Sequence, residues 1–323
     1  MHLSFIQQIM RKNVKPIFLF SMPRSGSTWL QTKLSFNPNI ATVSEPWILL
    51  HLFQLNSDID SFSSISNYQL KLAIKQVDEN LKIRGSCLNE INKDYYLRIC
   101  KSLSSNKEKY FLDKTPRYIY ILDKIYETFS DSKFIILWRH PLSILRSTYY
   151  SFWSKKTGLL HSRSDLYEGF LNLIEFSKNR PNIVTLNYEN LLNPDSNDWL
   201  VLEDYLKLKL TRDKISKENL VKGIMGDSSM YKVNYTNNLE DDISQLNSIF
   251  LKKEAYSLTK HIGEENFKHI GYDYNQTIKL IDKIPFSLNN LFKDGKGYLG
   301  EVIAKNISYH SKFKRSNKNR YLS

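Results

Sequence analysis

Cysteine is scarce in this chain: Cys87 and Cys100 are the only two among 323 residues. Two thiols make neither a disulfide framework nor a four-cysteine zinc site. No run approaches the roughly 18 apolar residues that a membrane span needs. Arg11, Lys12 and Lys15 stand near the start with no apolar run ahead of them, so a secretory leader is not expected. Repeats and low-complexity blocks are missing too. Aromatic side chains are plentiful, at 13% of residues, which suits a packed core rather than disordered coil. The expectation is a globular, cytoplasmic protein of one large domain or two modest ones.

Basic residues outnumber acidic ones, 46 to 33, for a formal charge of +13. Such an excess favours anionic partners: nucleotides, phosphate or sulfate esters, nucleic acid or acidic membranes. It is unevenly spread, because residues 275–323 hold ten basic residues against three acids. The reading is an N-terminal extension over 1–13, a main domain over 14–274 and a basic, solvated tail over 275–323.

Strand-like and helix-like stretches alternate along the main domain. Ile17–Ser21, Ala41–Val43, Tyr110–Leu112, Lys133–Trp138 and Asn182–Asn187 read as strands. Helices are expected over 27–35, 67–83, 86–103, 117–129, 199–206 and 244–262, with an irregular polar loop over 223–242. The run KFIILW at 133–138 is apolar throughout, as in a strand covered on both faces. This pattern predicts an α/β fold with a central parallel sheet flanked by helices. In such sheets ligands bind beyond the carboxyl ends of the strands, and the unusual polar clusters all fall there.

The first cluster is FLFSMPRSGSTWL, which reads strand, tight turn, helix. Gly26 allows close backbone approach, the amides of Ser25 to Thr28 open a helix N-terminus, and Arg24 adds positive charge; together they suit a phosphate. Ser27 and Thr28 add hydroxyl donors. The pattern is not G-x-x-x-x-G-K-[ST]: no Lys follows Gly26. KFIILW is followed by Arg139-His140, where a triphosphate hydrolase places its magnesium-holding Asp. An anion site without a divalent metal is expected, and the histidines show no metal-ligand spacing.

PRSGSTWL resembles the 5′-phosphosulfate-binding loop of sulfotransferases that use 3′-phosphoadenosine 5′-phosphosulfate (PAPS), and its Arg form resembles the tyrosylprotein and bacterial types. The resemblance implies a P-loop-like three-layer fold and a donor held by Arg24, Ser25, Gly26, Ser27, Thr28 and Trp29. Arg139, ending a buried strand, and Ser147, eight residues on, resemble the segment that holds the 3′-phosphate. A guanidinium forks two phosphate oxygens while a hydroxyl donates to another. Tyr188 in NYENLL matches the Tyr near the adenine. Lys222-Gly223 resembles the K-G of the segment that closes over the 3′-phosphate, with Val221 replacing a preceding Arg.

Sulfuryl transfer needs stabilised charge and a proton acceptor. Arg24 fills the first role from the loop. Lys114 in DKTPRY resembles the family Lys that reaches the transferring group. Pro116 stands where the cytosolic small-molecule enzymes carry a catalytic His. Glu45 in VSEPW, which resembles the catalytic Glu of the tyrosylprotein type, is therefore the candidate base. Pro46 predicts an extended backbone at Glu45.

The expected donor is PAPS, leaving PAP (adenosine 3′,5′-bisphosphate), with no metal. The expected acceptor is a hydroxyl- or amine-bearing carbohydrate, lipid, phenol or peptide, and neither nucleic acid nor a membrane span is expected. Two alternatives stay open: a P-loop kinase acting on a small metabolite, and a noncatalytic protein that binds an adenosine bisphosphate.

Overall fold

A computed structural model describes residues 14–54, 87–105, 107–152, 163–178, 180–212, 215, 221, 239–246 and 249–284. The stretch 1–13, the helix expected over 67–83, the pair Lys222-Gly223 and the tail beyond 284 lie outside the described residues. Two compact units divide the chain: residues 1–139 with 172–233, and residues 140–171 with 234–323.

The first unit is built on strands β1 (Lys15–Ser21), β2 (Ile40–Thr42), β3 (Tyr110–Asp113), β4 (Lys133–Trp138) and β5 (Ile183–Asn187). They form one sheet in the order β2-β3-β1-β4-β5, with every pairing parallel. Its helices are α1 (Ser27–Ser35), α2 (Ile48–Gln54), α3 (Cys87–Ser102) and α4 (Leu122–Thr128). After α5 (Pro141–Phe152) in the second unit come α6 (Phe170–Lys178), α7 (Tyr188–Leu191) and α8 (Asn197–Leu206).

Side chains alternate across a strand, and β1 uses both faces. Ile17 and Leu19 join one core with Leu30 and Leu34 of α1 and Trp199, Leu202 and Leu206 of α8. Phe18 and Phe20 enter the other. Phe18 stacks on Tyr96 of α3 at 5.8 Å and on Phe134 at 5.7 Å, and Phe20 meets Phe176 of α6 edge-on at 5.6 Å. Two covered faces explain why KFIILW lacks polar alternation. The architecture is a three-layer α/β fold with a central parallel sheet.

The chain passes from β3 on one side of β1 to β4 on the other. The carboxyl ends of β1, β3 and β4 flank that switch point, where α/β sheets bind ligands. The connectors that follow Ser21, Thr42, Asp113, Trp138 and Asn187 all leave from this rim.

Two expected helices are broken. The amphipathic stretch 117–129 starts as a 3₁₀ turn, Pro116–Tyr120, and α4 follows only after Ile121, whose φ is −136°. Tyr118 is drawn back to the end of β3, where its hydroxyl donates to Asp113 at 2.9 Å, and this disrupts a continuous α-helix. The helix expected over 244–262 is instead α9 (Leu239–Ser244) and α10 (Ile249–Ile262). The turn from Leu246 N–H to Ile243 O closes α9 at 2.9 Å.

The second unit carries α5, α9, α10, α11 (Glu264–His269) and α12 (Tyr274–Asp282). His140 packs inside it: its ring meets Tyr272 edge-on at 5.0 Å and its Nε2 lies 3.1 Å from Thr277 Oγ1 of α12. Arg163 forks the buried Glu254 of α10 through Nη2 at 2.7 Å and Nε at 3.2 Å.

Candidate active site

The site begins where β1 ends. Gly26 is the N-cap of α1 with φ 83°, and no side chain caps the helix. The first helical bond is Leu30 N–H to Gly26 O, 3.1 Å, so the amides of Gly26, Ser27, Thr28 and Trp29 have no intrahelical acceptor. The amide of Ser25, expected to join them, instead closes a turn onto Met22 O at 3.2 Å. The first turn of α1 contains no acid, so nothing there opposes an anion.

Gly26 is required for two reasons. Its φ lies in the left-handed region, and a Cβ there would sit 2.3 Å from Cε2 of Tyr188. The Tyr188 ring is thus pressed onto the turn, and Trp29 meets it edge-on with centroids 5.6 Å apart. Arg139 stacks its guanidinium over the same ring at 5.0 Å and donates from Nη1 to Arg24 O at 3.1 Å. Four sequence-expected residues therefore meet at one corner, with Arg139 and Tyr188 buried and Arg24 and Gly26 half-buried. Arg24 itself has φ 73°.

Ser25 is fully buried, and its Oγ has no hydrogen-bond partner among the described residues. A buried hydroxyl left unpaired costs about 1–3 kcal/mol. Such a group on an anion-ready turn fits a phosphate oxygen as its partner, so the residues present fit the expected donor.

Lys114 and Glu45 arrive from β3 and β2. Lys114 Nζ lies 2.7 Å from Glu45 Oε1 and donates to Thr28 Oγ1 at 3.2 Å. Its side chain is 1% exposed, against 13% for Glu45. The other carboxylate oxygen accepts from Trp47 Nε1 at 3.3 Å. Glu45 is not extended, contrary to expectation: its φ is 25°, and Trp47 has φ 55°. A following proline disfavours the right-handed helical region but leaves the left-handed one available, and bonds to Lys114 and Trp47 hold the carboxylate there. Three of the five non-glycine residues with positive φ among those described are Arg24, Glu45 and Trp47, a clustering typical of functional sites.

Gln31 was not legible as a site residue. Fully buried on α1, it donates from Nε2 to Thr42 Oγ1 and to Val43 O, both at 2.8 Å. Thr42 Oγ1 in turn donates to Leu112 O at 2.7 Å. The strand end that carries Glu45 is thereby tied to α1 and to β3. Asp113, next to Lys114, was also missed; it is buried between three hydroxyls, and burial pushes its carboxyl up to about 6.

The remaining expected residues fall elsewhere. Ser147 lies on α5 of the second unit, half-buried. Val221, the residue before Lys222, donates its N–H to Thr32 Oγ1 of α1 at 3.3 Å, whereas Lys222 and Gly223 are outside the described residues. No cluster of three or more His, Cys, Asp or Glu is placed to hold a metal among the described residues. No described helix is long and apolar enough to cross a membrane.

A parallel α/β sheet with an anion-ready turn at its switch point, a buried Arg beside it and an ammonium–carboxylate pair over it is the frame of a group-transfer protein. Residues 16–211 match the family described as the sulfotransferase family, and the chain belongs to that family. Nodulation protein NoeE of Sinorhizobium fredii is 28% identical over 151 residues, which are 43% of this chain and 33% of NoeE; the match spans about a third of that relative. Among solved structures, the sulfotransferase domain from the curacin biosynthetic pathway aligns with TM-score 0.47 and 17% identity, covering 86% of this chain and 99% of that one. Mouse sulfotransferase SULT7A1 complexed with PAP aligns with TM-score 0.45 and 14% identity, covering 83% and 89%.

Proposed function

We propose that this sulfotransferase moves a sulfuryl group from PAPS to a hydroxyl or amine, with Glu45 as base and Arg24 and Lys114 stabilising charge. The observation that carries this reading is the 2.7 Å contact between Lys114 Nζ and Glu45 Oε1, with the same ammonium on Thr28 of the anion-ready turn.

When bound, PAPS supplies an activated sulfuryl group with a phosphate as its leaving group. The amides of Gly26 to Trp29 and the hydroxyls of Ser25, Ser27 and Thr28 hold the 5′ end. Arg139, with Ser147 and the Lys222-Gly223 segment, holds the 3′-phosphate, and Tyr188 sits by the adenine. Glu45 accepts the proton of the acceptor as the new S–O or S–N bond forms. Lys114 and Arg24 stabilise the electron pair that leaves with the bridging oxygen of PAP. Such a loose transfer depends mainly on positioning and electrostatics, and one well-placed donor is worth about 3–4 kcal/mol.

No metal takes part in this reading, and the reaction is placed in the cytoplasm. The acceptor is a carbohydrate, lipid, phenol or peptide. Incubating the protein with sulfur-labelled PAPS and a panel of those four classes tests it, with EDTA present in a parallel set. Transfer that persists in EDTA is expected. Transfer of phosphate from a magnesium nucleotide would favour the kinase instead, and PAP binding without any transfer would favour the binding protein.

A further inference from the structure

Asp113 ends β3, and its side chain is buried with both oxygens engaged. Oδ2 accepts from Tyr96 OH of α3 and from Tyr118 OH, each at 2.9 Å, and Oδ1 accepts from Thr115 Oγ1 at 3.0 Å. The Tyr118 oxygen also accepts the N–H of Leu49, 3.3 Å away, at the start of α2 just beyond Glu45-Pro46-Trp47. One carboxylate thus joins three segments distant in sequence: α3, the turn that follows Lys114, and the chain that leaves Glu45.

Alternation along β3 adds meaning to that placement. Asp113 pairs in register with Phe18, whose ring faces Tyr96. Lys114 follows on the opposite side and reaches Thr28 of α1. The backbone of Lys114 is therefore clamped behind by Asp113 while its ammonium is held in front. Burying a carboxylate is costly unless it is fully hydrogen-bonded, and an apolar residue would fill the same core space more stably. A residue that only packed the core would not be expected to be a carboxylate with three hydroxyl donors.

We infer that Asp113 is a positioning residue: through Thr115 and Tyr118 it fixes the cation Lys114 and the base Glu45 in one register. This rests on the roles proposed for Lys114 and Glu45. The charged and titratable groups around it are Tyr96 and Cys100 of α3, Tyr118, and Lys114. Touching no reacting atom, Asp113 acts only through those neighbours.

The test compares Asp113→Asn and Tyr96→Phe with Lys114→Ala and with the double variant Asp113→Asn/Lys114→Ala. Label transfer from PAPS to the acceptor found in the panel is measured, and PAP binding is followed by calorimetry. Both single positioning variants should lower kcat roughly tenfold or more, the scale of loss for a misplaced catalytic group, with the Kd for PAP unchanged within about twofold. In the Lys114→Ala background, Asp113→Asn should cost clearly less than it does alone, because one of the two groups it aims is gone. Tyr96→Phe keeps the test valid if Asp113→Asn fails to fold. Equal losses in kcat and PAP affinity, full additivity in the double variant, or normal kcat in both single variants would overturn the inference. Normal transfer by Lys114→Ala would instead overturn the role given to Lys114.

Discussion

Lys114 and Glu45 are joined at 2.7 Å where the ammonium also touches the anion-ready turn. The cation and the base of the proposed reaction thus neutralise each other until an anion competes for the ammonium. Glu45→Gln keeps the shape and removes the proton acceptor. Its kcat should fall by about 10²- to 10⁴-fold while PAP binding by calorimetry changes little. Undiminished turnover would remove Glu45 from the role of base.

Arg139 stacks on Tyr188 and donates to the backbone of Arg24. Arg139→Lys keeps the charge and loses the fork. Affinity for PAP should drop about tenfold or more, and affinity for adenosine 5′-monophosphate, which lacks the 3′-phosphate, should drop less. Parallel titrations of the two nucleotides check this; equal losses would move Arg139 away from the 3′-phosphate.

Gly26 faces both a left-handed φ and the Tyr188 ring 2.3 Å from a built Cβ. Gly26→Ala should lower stability by about 1–3 kcal/mol from the backbone alone, and more from the contact. Adding Tyr188→Ala should recover only the steric part. Thermal melts of the single and double variants separate the two causes.

Asp113 has its carboxyl raised by burial to about 6, from an ordinary value of 3.8. A raised carboxylate binds more protons in the folded state, so its contribution is fully present below about 3.8 and is lost as pH rises through about 6. The loss is on the order of 3 kcal/mol at most. Asp113→Asn removes this titration, so its stability relative to wild type should rise between about pH 4 and pH 6. Urea melts across that range measure it, and a constant difference would mean that Asp113 does not titrate there.

The parts of the site legible in the sequence are those encoded locally. Arg24 to Trp29, Lys114 and Arg139 each follow a short apolar strand directly, and a strand followed by a polar turn is readable within a dozen residues. Gln31, Trp47 and Asp113 were not legible because no local pattern marks them. Gln31 reaches Thr42 and Val43 from inside an ordinary helix face, and Trp47 meets Glu45 through a positive-φ turn. Asp113 gathers Tyr96, Thr115 and Tyr118 through the way their segments pack at the end of β3. The helix expected over 117–129 failed because the ties from Tyr118 to Asp113 and to Leu49 outweighed its periodicity. Pro46 misled because the bonds from the Glu45 carboxylate to Lys114 and Trp47 outweigh the local preference for extended backbone.

β2 is three residues long and lies at the sheet's margin, yet the proposed base follows just three residues beyond its end. A brief outermost ribbon is the first to fray when the molecule is warmed. Heating should therefore silence turnover several degrees before ellipticity collapses, a gap visible when activity and circular dichroism are followed on one temperature ramp.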